Sequence, residues 1–228
     1  MRYNEILVEN DIEPIDISSK EGDLIITNLK KYIEILKDCS HALSAALDGK
    51  MIYRGFDSMH DMMLLPKSKK TRRAAYYTHG DYYKDIFSQL PSWNESYRRD
   101  TAIIASTSDG KARMYGKLYV IFPVNGAKIN YSIGRDWWDS YATIDNVELS
   151  FKEIMDDLYL NKDEVRDYIS QHLTKFNRLL SPKAFGVTQI TTKQIPSIPH
   201  DREVWTSDTC FALNLQDWYD IKRRLQND

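Results

Sequence analysis

The chain has 228 residues, of which 42% are hydrophobic and 28% charged, with only 9 Gly and 7 Pro. That composition supplies a packed core and excludes a disordered or fibrous chain, and the length suits one globular unit rather than two independent enzymatic domains. Lys and Arg total 31 against 33 Asp and Glu, a net charge of -2, so nucleic acid or anionic lipid would have to be met by a local patch. Cys39 and Cys210 cannot build a disulfide framework or a Cys-rich zinc site, and the five histidines show no metal-ligand spacing. A reduced, cytoplasmic protein without a structural metal is expected. Met1 to Ser18 is acidic and lacks the pattern of an export signal, and no run of about 18 uncharged apolar residues suggests a membrane span. The 15 Tyr and 5 Trp are more than core filling needs.

In chain order, the first element is a helix. Leu29, Tyr32, Ile33, Leu36, Cys39, Leu43 and Leu47 recur at the three-and-four spacing of one helical face between Gly22 and Leu47, and Gly49 stops it. Residues 1–49 thus form an amino-terminal helical segment packed on a main domain of residues 50–228. Met51 to Phe56 is too short for a helix and reads as a strand ending near Gly55. Ser58 to Leu65 reads as a short helix. Pro66 to Arg73, carrying Lys67, Lys69, Lys70, Arg72 and Arg73 without apolar partners, reads as a surface loop that could touch phosphate locally. Tyr76 to Leu90 is read as helical up to Pro91.

Thr101 to Ser108 begins as a β-branched strand and ends in hydroxyls. Asp109 to Tyr115 fits a two-turn helix, capped by Asp109 and stopped by Gly116, before a strand from Leu118 to Val124. Ser150 with Glu153, and Asn161 with Glu164, mark two helix starts. The second helix carries its stripe on Val165, Ile169, His172, Leu173, Phe176 and Leu180. Val187 to Ile190 and Glu203 to Leu215 read as strands separated by a turn at Pro196 to Pro199, and Trp218 to Leu225 as a terminal helix. Strands and helices are mixed without regular βαβ alternation, so the fold class is α+β with a mixed or antiparallel sheet.

Three polar groups stand out on these strands: Arg54, the hydroxyls Ser106, Thr107 and Ser108, and the acids Asp201 and Glu203. A strand puts alternate residues on one face, so Ser106 would point with Ser108, and Asp201 with Glu203 if that strand reaches back so far. An arginine on an apolar strand needs an anion if it is buried, and its planar fork fits phosphate or carboxylate. A structural acid or exposure at a sheet edge would also satisfy it.

Tyr53-Arg54-Gly55, then Ser106-Thr107-Ser108, then Glu203 behind a turn-rich loop resembles the ADP-ribosyltransferase superfamily, in the branch with an aromatic-Arg, a Ser-Thr-Ser and a Glu-x-Glu or Gln-x-Glu motif. The resemblance implies a split mixed β-sheet with amino-terminal helices and NAD as co-substrate in the cleft between half-sheets. It implies that Arg54 and Gly55, with Ser106, Thr107, Ser108 and Tyr115, hold NAD. Ser106 would orient Glu203, Glu203 would bond the nicotinamide ribose, and Asp201 would stand at the acceptor position, shorter by a methylene than the family's Glu or Gln. The implied reaction is transfer of ADP-ribose to a host or phage protein or nucleic acid. Ala102 to Pro123 also resembles an uncharacterised family of tailed-bacteriophage proteins, which would place the chain in a host cytoplasm. The alternative is a non-catalytic accessory, assembly or nucleic-acid-binding protein on the same fold.

The remaining candidates have ordinary explanations as well. Tyr76, Tyr77, Tyr82, Tyr83, Trp93, Tyr97, Tyr131, Trp137 and Trp138 could stack on bases or nicotinamide, or fill core and rim. Arg98 and Arg99 could extend the basic patch, or keep an edge strand soluble. His79 and His200 could shuttle a proton, or simply face water. Cys39 and Cys210 are expected in the core.

Overall fold

A computed structural model describes residues 9–10, 15–16, 32–57, 61–65, 72–73, 87, 89–94, 97–99, 101–135 and 162–226. Lys67, Lys69 and Lys70, the tyrosines at 76, 77, 82 and 83, His79, Trp137, Trp138 and the helix expected from Ser150 lie outside them. Within the described residues the fold is α+β: eleven strands, five α-helices besides the helical residues 32–36, and two 3-10 helices. No helix among these residues is long and apolar enough to cross a membrane.

The amino-terminal segment is not helical throughout, because Glu9–Asn10 and Ile15–Asp16 are strands that pair with Arg72–Arg73 and with Met63 and Leu64. Its helical part, residues 32–47, follows the expected apolar face. Residues 32–36 are helical, Lys37–Cys39 tighten into a 3-10 turn, and α1 (Ser40–Leu47) completes it. Tyr32, Leu36 and Cys39 are buried in the same cluster as Ile52, Ile121 and Phe122 of the sheet, so this segment shares the main core. Gly49, at φ +80°, ends α1 by donating to the Ala46 carbonyl.

The strands are β1 (Glu9–Asn10), β2 (Ile15–Asp16), β3 (Tyr53–Phe56), β4 (Met62–Leu65), β5 (Arg72–Arg73) and β6 (Ile103–Ser106), followed by β7 (Lys117–Pro123), β8 (Lys128–Ser132), β9 (Val187–Thr191), β10 (Glu203–Thr206) and β11 (Cys210–Asn214). The further helices are α2 (Asp109–Arg113), α3 (Lys162–Gln171), α4 (Leu173–Leu179) and α5 (Leu215–Leu225). Several expectations need correction. Met62 to Leu65 is a strand, not the end of a short helix: four consecutive apolar residues pair with β11 and bury both faces, which a one-sided helix cannot do. Arg72 and Arg73 form a strand with Glu9 and Asn10 rather than a free loop. The helix expected from Asn161 to Leu180 breaks at His172, and the strand expected from Glu203 to Leu215 is two strands divided at Ser207 to Thr209. Ser108, not Asp109, caps α2: its hydroxyl accepts from the Lys111 amide at 3.4 Å. Ser108→Ala should therefore cost about 0.5–1 kcal/mol in urea unfolding, as for other lost caps.

Nine strands form one sheet in the order β2-β4-β11-β7-β3-β6-β10-β8-β9. Every pairing among the described residues is antiparallel, one of the two forms that the strand pattern allowed and not the mixed sheet that the resemblance implied. Chain length between strands explains the sharpest bend. β10 and β11 stand four strand positions apart, about 19 Å in a flat sheet, whereas Thr206 to Cys210 spans at most about 14 Å of extended chain. β7 and β8, also four positions apart, are joined by residues 124–127 alone. The sheet must therefore crease between these strands. The crease coincides with its weakest join, because β3 meets β6 through the single pair Tyr53–Ser106. Ile52 and Ile121 from one half then enclose a small apolar void with Ile103, Ala105, Ile129 and Val204 from the other. A second cluster around Trp205 gathers Phe87, Trp93, Phe176 and Phe185 beneath α3 and α4.

Helix α5 seals the β11 side with Trp218, whose ring lies 5.3 Å from that of Phe122. Asp217, beside Trp218 in its first turn, is pushed up to about 6 by burial and by the charges of Asp61 and Asp220. A carboxyl raised in the folded state adds stability below its unfolded pKa of 3.8 and loses it as pH climbs through 6. Wild-type stability should thus fall between about pH 4 and 6 relative to Asp217→Asn, checked by thermal melts of both across that window.

Candidate functional site

The three motifs meet at the crease. Ser106 at the end of β6 stands opposite Tyr53 of β3 on one side and opposite Glu203 of β10 on the other. Directly opposed residues share a face, so Tyr53, Ser106 and Glu203 lie in a row across three strands. Burial, together with the charges of Tyr219 and Asp109, pushes the Tyr53 phenol up to about 12, so it is neutral at physiological pH. Arg54, one residue further, leaves from the other face by strand alternation. Its guanidinium turns into the gap that opens beyond the Tyr53–Ser106 pair, where Nη1 donates to the Ile104 carbonyl, and it lies 5.0 Å above the Phe56 ring. The arginine that the sequence singled out thus reaches from β3 to a backbone carbonyl of β6.

The Ser-Thr-Ser hydroxyls shape the loop that carries the acids. Ser106 Oγ donates to the Arg202 carbonyl at 3.2 Å and accepts from the Ser108 amide at 3.0 Å. Thr107 Oγ1 donates to the Pro199 carbonyl at 3.0 Å and accepts from the Arg202 amide at 2.9 Å. Ser108 caps α2. The expected hold of Ser106 on Glu203 is therefore indirect: the serine grips the backbone one residue before the glutamate.

Arg99 grips the carboxylate directly. Its Nε donates to Oε1 at 2.6 Å and its Nη2 to Oε2 at 3.2 Å, with side-chain exposures of only 15% and 11% for arginine and glutamate. No local pattern announces this pair, since Arg99 sits in a polar stretch 104 residues from its partner.

Asp201 does not extend β10. It lies in the bend before that strand at φ +62°, a left-handed conformation that Asp tolerates better than most residues, so Asp201 and Glu203 do not alternate along one strand. Its carboxylate bridges Lys111 Nζ at 3.0 Å and Arg135 Nε at 3.2 Å. Desolvation opposes its charge, but the hydrogen bond and charge of Lys111, with the charges of Arg135 and His200, hold its pKa below the usual value.

The other expected residues fall into packing roles or onto the surface. Gly55 lies under the end of α2, where a Cβ would sit 2.1 Å from the Ala112 carbonyl oxygen. Tyr115, at that end of α2, is half exposed, and His200 is exposed. Tyr131 stands opposite Val204 and packs on the main core. Trp93 donates Nε1 to the Leu180 carbonyl at 2.5 Å and packs on Phe87 and Phe185, and Tyr97 borders the same cluster. Both cysteines are buried thiols; burial pushes Cys39 up to about 12. Among the described residues no cluster of His, Cys, Asp and Glu could hold a metal ion.

Comparison with protein-family models, with curated proteins and with solved structures finds no match.

Proposed function

We propose that the chain is an ADP-ribosyltransferase that uses NAD as co-substrate, with its site at the crease of a split sheet. The observation that carries this reading is the register: Tyr53 opposite Ser106 opposite Glu203 brings three motifs, separated by 150 positions of sequence, onto three adjacent strands. The C1′–N1 glycosidic bond breaks, and its electron pair leaves with nicotinamide, whose ring loses its positive charge. The ribose carbon becomes oxocarbenium-like, and Glu203 stabilises that charge as carboxylates do in glycoside cleavage. An acceptor nucleophile on a protein or nucleic acid then bonds C1′ and releases its proton. Arg54, whose side chain leaves β3 on the face opposite Tyr53, would bind the phosphates only by turning round the open end of the crease and giving up the Ile104 carbonyl. Asp201, ionised and clamped by Lys111 and Arg135, is a weak base, which favours an acceptor that is already nucleophilic, or water. The test is nicotinamide release from NAD by the full chain, followed by chromatography; a rate no higher than that of buffer alone rejects the reading.

One set of contacts favours a second reading, a non-catalytic binding or assembly protein. Glu203 is already matched by Arg99, Arg54 by a carbonyl, and the three hydroxyls by backbone. Calorimetric titration with millimolar NAD separates the two, because this protein would give no binding heat.

A further inference from the structure

We propose that Arg99 is the positioning residue for Glu203, taking the part that the motif pattern would give to Ser106. This rests on the reading of Glu203 as the catalytic carboxylate. A single guanidinium reaches both carboxylate oxygens, at 2.6 and 3.2 Å, in a place where neither side chain is more than 15% exposed. Such a fork fixes both the position and the plane of the carboxylate, which a lysine or a hydroxyl cannot do.

The backbone that presents Arg99 is itself fastened. Two residues before it, the Tyr97 carbonyl accepts from Trp205 Nε1 at 2.9 Å, and Trp205 lies on β10, two residues after Glu203. After it, the Arg99 carbonyl accepts from the Ala102 amide at 3.2 Å in the turn that enters β6. Arginine and glutamate are therefore held on one frame, and Ser106 is spent on the Arg202 carbonyl and the Ser108 amide. An ionised carboxylate offers about four lone-pair positions. Arg99 engages both oxygens at once, so the carboxylate cannot rotate without breaking a bond to the guanidinium.

The experiment compares full-length wild type, Arg99→Met and Arg99→Lys for steady-state nicotinamide release from NAD, with folding checked by circular dichroism. Arg99→Met should keep KM for NAD within about twofold and lose about 10- to 100-fold in kcat, as expected when a reacting group is misplaced without losing substrate contacts. Arg99→Lys keeps the charge without the fork and should fall between the two. Wild-type kcat in folded Arg99→Met, or a change confined to KM, overturns the proposal. If Arg99→Met does not fold, Arg99→Lys decides: an undiminished kcat overturns the proposal and a reduced one at unchanged KM supports it. A wild type that releases no nicotinamide removes the transferase reading and this role together, whereas an active wild type with an equally active Arg99→Met removes this role alone.

Discussion

Glu203→Gln is expected to reduce nicotinamide release by about 100- to 1,000-fold, the loss typical when one electrostatic stabiliser of a developing charge is removed. The same change should lower folding stability by about 2–3 kcal/mol, less than the roughly 3–5 kcal/mol of a fully dry pair because both side chains retain some exposure. Glutamine has one acceptor oxygen and turns an NH2 group toward the second guanidinium N–H, so half the fork of Arg99 meets a donor and its charge loses its counter-ion. Activity is read by chromatography of nicotinamide, and stability by urea unfolding. The two readouts carry different information. A stability loss from an active parent with activity unchanged would reject Glu203 as the catalytic group while leaving the ion pair as a structural one. Unchanged stability would show that the Arg99 contact adds nothing to the fold.

What the sequence disclosed and what it hid divide along locality. The helix around Leu36 and Cys39 and the strand, short helix, strand unit from Ile103 to Pro123 were legible because their signals are periodic or sit at their own ends. Met62 to Leu65 was misread because a short apolar run looks the same in a buried helix and a buried strand. Only pairing with β11 decides between them, and that partner lies far along the chain. The division of β10 from β11 was hidden for a related reason: Ser207 to Thr209 is unremarkable as sequence, and its importance lies in how few residues it offers to connect two distant strand positions. Arg54, Ser106 and Glu203 could be picked out by residue type; that Ser106 stands beside Glu203, with Tyr53 and not Arg54 completing the row, is a matter of register. Arg99 stood out only as part of a basic patch or as a charge at a sheet edge, and its carboxylate partner was hidden. An arginine in a polar stretch reads as solvated until a carboxylate from another strand is placed beside it.

Gly55→Ala is the second large effect, and it tests whether the site's architecture depends on one close approach of backbones. Gly55 sits on β3, and a Cβ there would meet the Ala112 oxygen at 2.1 Å, the Tyr115 carbonyl carbon at 2.8 Å and the Gly116 nitrogen at 2.9 Å. All three are backbone atoms, so no side-chain rotation relieves the clash; either α2 lifts or β3 bends. Gly116 faces the same constraint from the other side, at φ +124°, where a Cβ would sit 2.5 Å from the Phe56 oxygen. The end of α2 can rest on β3 only because both chains lack a side chain at the point of contact. Gly55→Ala should cost about 3 kcal/mol or more, at the upper end of overpacking effects. Since α2 carries Lys111, which bridges Asp201 at 3.0 Å, its displacement should loosen the Asp201 loop as well. Gly126→Ala is the matched control, because that glycine has φ +85° but open space around it, and should cost only about 1–2 kcal/mol for the left-handed backbone. Urea unfolding of both variants distinguishes steric contact from backbone conformation. Equal small losses in the two would mean that α2 yields easily and does not hold the crease in place.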